Sequence, residues 1–257
     1  MLDKLKSTFE SAKENLGFIA VCLGVFAGLF IIAFLFERLF LKDRRRFSDT
    51  RYITYVALFS AMAGALMLLE IPLFFAPTFY KMDLSELPVM ICTFYLGPVA
   101  GVVSELIKII LKLVLKGTTT AFVGDFANFA VGCSFVLPAS IVYHVKRGKR
   151  SALFGLITGT LIMTVFGSMF NALFLIPKFA QLFHMDLSAI VEMGTKVNRA
   201  IVNLPTLVLY AVVPFNLLKG VVVSLLTFLL YKRITPLLHM GDGRKNARKK
   251  KEKEAEG

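Results

Sequence analysis

Tryptophan is missing from this 257-residue chain, and so are the common signatures of chemistry. No G-x-x-x-x-G-K-[S/T] run occurs, so the chain has no P-loop with which to hydrolyse ATP. H-E-x-x-H is absent, as is a Ser/His/Asp set facing a membrane cavity, which disfavours an intramembrane hydrolase. Cys22, Cys92 and Cys133 all lie in apolar blocks without C-x-x-C spacing. They read as small buried hydrophobes. No His/Cys/Asp/Glu cluster has zinc spacing, and His144, His184 and His239 are scattered. Neither a metal site, a resident cofactor nor an enzymatic activity is expected.

What is present is apolar length. The chain is 56% hydrophobic with 25 Phe and has a mean hydropathy of +0.71, against about 45–50% apolar residues in a soluble domain. The excess collects in blocks near the ~20 residues that span a bilayer's hydrocarbon. Runs of this kind, without two-residue alternation, exclude a barrel and predict an all-α, polytopic membrane protein. Spans are expected at 17–36, about 52–76, 86–96, 99–115, about 122–145, 151–176 and 206–231. The first lacks a small-residue cleavage site and runs directly into Glu37-Arg38, so it reads as an uncleaved helix. The block 86–96 is too short to cross without help, and Gly97-Pro98 breaks it. A long connection, 177–203, has room for a short interfacial helix.

The net charge of +13 sits beside the spans. The 42–51 link carries five basic and two acidic residues, 146–150 carries four basic residues, and the chain from Lys232 carries nine basic and four acidic. These are juxtamembrane positions, where Lys and Arg set orientation and favour anionic lipid. They argue for a membrane partner and against nucleic acid. Residues 1–16 balance three Lys against Asp3, Glu10 and Glu14. The N-terminus is therefore expected outside, with all three basic segments and the C-terminus in the cytoplasm. The chain divides into 1–45 (extra helix and basic link), 46–234 (six-helix membrane domain) and 235–257 (basic, disordered tail).

An ionisable or amide side chain in hydrocarbon costs a few kcal/mol, so each is a candidate site. Glu105 and Lys108 lie three apart on one helix face, as an ion pair or with a snorkelling lysine. Asp125 and Asn128 share a face near the outer end of their span, suited to capping, helix bonding or ligand contact. Asn171 is a lone amide, and interhelical bonding competes with a ligand role. In PFNLLKG (214–220), an amide and an amine converge. Asn216 and Lys219 lie three apart, Pro214 loosens the backbone just before them, and Lys219 is roughly 18–20 Å from either end of its span at 1.5 Å per residue. This predicts a buried polar site for a flat, mostly apolar compound. Ala57-x-x-x-Ala61-x-x-x-Ala65 lets another helix approach closely.

These blocks resemble a known family. KMDLSELP, LGPVAGVVSELIK, GTTTAFVGDFANF, MTVFGSMFNALF and PFNLLKGVVVSLLTFLLYKRI, with the alanine spacing, resemble in order the S component (substrate-binding subunit) of energy-coupling factor (ECF) vitamin transporters, of riboflavin type. The resemblance covers 52–232; the helix in 1–45 departs from the usual six-helix form. It implies a six-helix S-component core with one additional N-terminal transmembrane helix, in the cell membrane. It also implies capture of riboflavin from outside and delivery with a transmembrane coupling subunit and two cytoplasmic ATPases. The family's two asparagines and lysine fall on Asn171, Asn216 and Lys219. Loop contacts fall around Met82, Asp83, Thr120 and Ala121, and the coupling-subunit surface on Ala57, Ala61 and Ala65. The residue chemistry suits a flavin, whose ring has one apolar edge and one edge of carbonyls and an imide N–H. Asn offers donor and acceptor, Lys donors only. FMN or a purine-like ring is the alternative ligand, since Lys81, Lys116 and Lys178 could meet a phosphate. A non-transport sensor or assembly protein is the alternative role.

Overall fold

Helical segments of the computed structural model follow the apolar blocks. It describes residues 16–41, 49–74, 77, 80–118, 120 and 122–231. Most of the 42–51 link, the tail 235–257 and Ala121 lie outside the described residues. Among these residues there are eight helices: α1 (Leu16–Phe40), α2 (Thr50–Met67), α3 (Glu86–Leu96), α4 (Pro98–Lys116), α5 (Val123–Val145), α6 (Lys149–Leu182), α7 (Leu187–Thr195) and α8 (Leu204–Tyr231). Four are long and apolar enough to cross a membrane, counting α1 from Cys22, with α5, α6 and α8. The protein is a multi-pass membrane protein, largely helical. α4 is set apart by charge, because Glu105, Lys108 and Lys112 lie within it. α3 has only 11 residues, or about 16 Å at 1.5 Å each.

Two boundaries differ from the expected spans, and prolines account for both. The second span stops at Met67, not near 76, because Pro72 would clash with the carbonyl of Leu68 if the helix continued. The chain instead forms a short hairpin, β1 (Ile71–Pro72) antiparallel to β2 (Lys81–Met82). Glu70 ties this hairpin down, meeting Lys81 at 2.8 Å and Lys116, at the end of α4, at 2.5 Å. Burial pushes the Glu70 carboxyl up, but the two ammoniums outweigh it and hold the group below its usual range. The second boundary is in α6, which runs through Pro177 to Leu182 instead of ending at 176. A π turn at Asn171–Leu175 makes that possible. The widened turn displaces the carbonyl of Leu173, with which the proline ring would collide. α8 repeats the device, with a π turn at Val208–Val212 two residues before Pro214. The short helix expected within 177–203 is α7.

Packing is closest between α5 and α6. A β-carbon at Gly155 would stand 2.5 Å from the Ala139 carbonyl oxygen, and one at Gly159 would stand 2.6 Å from that of Phe135. Gly-x-x-x-Gly spacing thus brings the two backbones together. Fully buried Phe135, Val136, Ala139, Leu156 and Met163 fill the core beside them. α1 packs on α4 and α5 through Phe26, whose ring is 6.0 Å from that of Phe129, and through the buried Ala33. Its Glu37 accepts the Val99 N–H at 2.8 Å, capping α4. Gly97, at φ +119°, makes the turn that opens this helix terminus; the left-handed backbone and the nearby Glu37 carboxylate both exclude a side chain there.

Candidate functional site

Lys219 lies deep within α8 and is only 6% exposed. An ammonium in that position needs counter-charge, since desolvation costs several kcal/mol per ion. Two carboxylates supply it: Asp83 Oδ2 at 3.1 Å and Glu86 Oε2 at 3.0 Å. They use two of its three N–H donors. Asp83 comes from the loop after β2 and also accepts the Ser85 N–H at 2.9 Å. Burial pushes the Asp83 carboxyl up, but Lys219, Lys108 and the Ser85 hydrogen bonds hold it below the usual carboxylate range. Behind Glu86 the pairing continues. Its Oε1 meets Lys108 at 3.4 Å, and Lys108 meets Glu105 at 2.5 Å. All of these side chains are buried.

On the other side are the amides. Asn216 is 3% and Asn171 5% exposed. Asn171 is engaged at both atoms: its Oδ1 accepts the Tyr80 hydroxyl at 2.7 Å and its Nδ2 donates to the Gly167 carbonyl at 2.7 Å. Burial pushes the Tyr80 phenol up, keeping it a donor. Asn216 Nδ2, by contrast, is buried with no hydrogen-bond partner among the described residues. Such a donor costs about 1–3 kcal/mol when unsatisfied. Asn216 fits beside α6 because residue 167 is glycine; a β-carbon there would stand 2.9 Å from Nδ2. The Tyr80 ring packs on Phe215 at 5.3 Å, and Met82 and Val212 complete that apolar wall.

The structure therefore brings together Asn171, Asn216, Lys219, Asp83 and Met82. Thr120 is used otherwise, accepting the Gly124 N–H at 3.0 Å at the start of α5, and Ala121 lies outside the described residues. Asp125 pairs with Lys112 and accepts the Thr118 hydroxyl at 2.9 Å, tying the start of α5 to α4 and the loop after it, while Asn128 donates to the Gly124 carbonyl one turn back in its own helix. Ala57, Ala61 and Ala65 are exposed along one stripe of α2, with Ile53, Leu58 and Met62 around them. An open groove of about 430 Å³ between α7 and the start of α8 is lined by Leu187, Val191, Glu192 and Val202. Its polar side chains are solvated, and it lies apart from the cluster. Sequence reasoning missed Glu86, Tyr80 and Gly167. Glu86 was visible as a carboxylate opening an apolar helix; Gly167 was visible as the residue four before Asn171.

Buried hydrogen-bonding groups at the meeting of α3, α4, α6 and α8, with an apolar wall beside them, define a small-molecule binding subunit embedded in the membrane. Residues 51–231 match the family described as ECF transporter, substrate-specific component, and the chain belongs to that family: a transporter component, not an enzyme. It is 35% identical to the riboflavin transporter RibU of Staphylococcus aureus (strain TCH60), over 74% of this chain and 93% of that one. To the riboflavin transporter FmnP of Bacillus subtilis (strain 168) it is 29% identical, over 72% and 92%. A solved S component of a bacterial ECF transporter superposes with a TM-score of 0.57 at 29% identity, over 74% of this chain and 99% of that one. The fold is that of the S components.

Proposed function

We propose that the chain is the riboflavin-binding membrane subunit of an ECF-type importer, working with a transmembrane coupling subunit and two cytoplasmic ATPases. The observation that carries this is the pairing of a buried ammonium and an unspent amide donor, Lys219 and Asn216, beside the Tyr80–Phe215 wall. Those groups suit a flat ring with carbonyls on one edge and methyl-bearing carbon on the other. A donor–carbonyl bond from an ammonium is charge-assisted and stronger than a neutral one. Of the lysines that could meet a phosphate, Lys81 and Lys116 are both bound to Glu70 and Lys178 donates to Gln181 at 3.5 Å, so riboflavin is favoured over FMN.

In this reading α2–α6 and α8 form the six-helix core and α1 is the additional helix. The N-terminus lies outside and the C-terminus in the cytoplasm. Glu37, near the C-terminal end of α1, meets the N-terminal end of α4, as antiparallel neighbours require. The exposed alanine stripe is the docking surface for the coupling subunit.

Fluorescence titration of the purified protein with riboflavin tests the proposal. Quenching is expected at micromolar flavin, and unchanged fluorescence at that concentration ends the assignment. Ala61→Glu is expected to leave quenching intact and stop uptake in cells holding the whole transporter.

A further inference from the structure

Lys219 has two counter-charges of different standing. Asp83 sits on the loop between β2 and α3. Glu86 is the first residue of α3, where a carboxylate also meets the positive end of the helix. Its two oxygens point to two lysines on two other helices, Oε2 to Lys219 of α8 and Oε1 to Lys108 of α4. Lys108 is fully buried and closes on the equally buried Glu105 at 2.5 Å. Glu105 is seated against α5 at Gly132, where a β-carbon would stand 2.7 Å from Oε2. Glu86 is thus clamped from behind, through a chain of groups that ends on a glycine backbone.

Asp83 and Glu86 both lie against the Lys219 ammonium, so its counter-charge is held within the protein and a third N–H is left to serve a ligand. An ammonium without such partners would lose its charge or leave the site.

We infer that Glu86 is a positioning residue for the ligand-binding lysine: it fixes the Lys219 ammonium against the ring edge, with Lys108 and Glu105 holding Glu86 in turn. The inference rests on the riboflavin reading. It assigns to the α3–α4 helix pair, which the family resemblance leaves without a part in the site, the task of holding the donor that reads the ring carbonyls. Side chains that act through one another are not additive, whereas independent ones are.

The test is a double-mutant cycle on riboflavin affinity. Glu86→Gln keeps the size and removes the charge; it is expected to weaken binding about tenfold or more, as breaking a buried charged pair does. In a Lys219→Met background the same change is expected to add less than about threefold, because the group it acts through is gone. Glu86→Asp, which restores the charge, is expected to recover part of the loss. The visible absorption band of bound flavin, which responds to hydrogen bonding at the ring carbonyls, is expected to move the same way in Glu86→Gln and Lys219→Met. Glu86→Gln binding like wild type, or losses that multiply in full across the cycle, would overturn the inference while leaving the riboflavin reading intact. A wild-type protein that ignores riboflavin overturns both. If Glu86→Gln is not recovered folded, Glu86→Asp decides alone: weaker binding with a displaced band supports the inference, and wild-type affinity and spectrum refute it.

Discussion

Around Lys219, on the α3–α4 side, each buried ionisable group lies against an opposite charge, whereas across the α6–α8 seam the polar groups are neutral amides and hydroxyls, and Asn216 keeps a donor without a partner among the described residues. The difference follows from cost. A bare charge in hydrocarbon is too expensive to hold in reserve, so the charged side is ion-paired within the protein and becomes scaffold. An unpaired amide N–H costs only about 1–3 kcal/mol, a sum that a bound ligand recovers. Asn171 and Asn216 repeat the contrast at smaller scale. They are the same residue type, both buried and both on helices that carry a π turn, yet Tyr80 and Gly167 occupy Asn171 while Asn216 Nδ2 has no partner among the described residues.

The largest effect that could break this comparison comes from exchanging the two asparagines for alanine. Asn216→Ala is expected to weaken riboflavin binding by about 1–3 kcal/mol, with the thermal midpoint of the unliganded protein nearly unchanged. Asn171→Ala removes the side-chain acceptor of the Tyr80 hydroxyl and the side-chain donor to the Gly167 carbonyl, so it is expected to lower that midpoint as well as affinity. Thermal unfolding in detergent, with and without flavin, separates the outcomes. Equal loss of unliganded stability in both variants would erase the distinction between an occupied and an available amide.

Gly167→Ala sharpens the same contrast with a smaller change. The added methyl would crowd Asn216 Nδ2 at 2.9 Å, whereas Asn171 bonds the backbone carbonyl of residue 167 and keeps its partner. Overpacking of this kind costs about 1–3 kcal/mol, and relaxation of one amide side chain puts the expectation at the lower end. The titration is expected to show about a tenfold loss of riboflavin affinity. A variant that binds riboflavin normally would mean that Asn216 does not depend on this close approach.

Much of this arrangement was legible in the sequence where the information is local. Apolar runs marked most helices, Gly97-Pro98 marked the break between α3 and α4, and three-residue spacing put Glu105 with Lys108 and Asn216 with Lys219. What periodicity cannot report is a partner on another helix. Lys219 is 136 residues from Asp83, and Tyr80 is 91 from Asn171. PFNLLKG therefore announced a polar site without saying that its lysine was already engaged by two carboxylates. The π turns were hidden for a related reason: Pro177 reads as a helix stop unless the preceding turn widens, and the widening has no side-chain signature. The hairpin at 71–82 was lost within an apolar stretch, IPLFFAP, that reads equally well as the end of a span.

The smallest effect tests the charged side from outside the site. Glu37 is a carboxylate whose partner is a helix terminus, the Val99 N–H of α4. A charge so placed contributes about 0.3–1 kcal/mol, and Glu37→Gln keeps an acceptor while removing the charge. A fall of a few degrees in the thermal midpoint is expected, about what a loss under 1 kcal/mol produces in a chain of this size. Riboflavin affinity should stay within about twofold, as for substitutions remote from a site. That outcome would class Glu37 with the scaffold and confine ligand sensitivity to the charges that touch Lys219. If affinity fell further than stability, α4 would be passing strain from its capped end to Glu105 and Lys108. The ion network would then be a means of communication between α1 and the ligand rather than a fixed support.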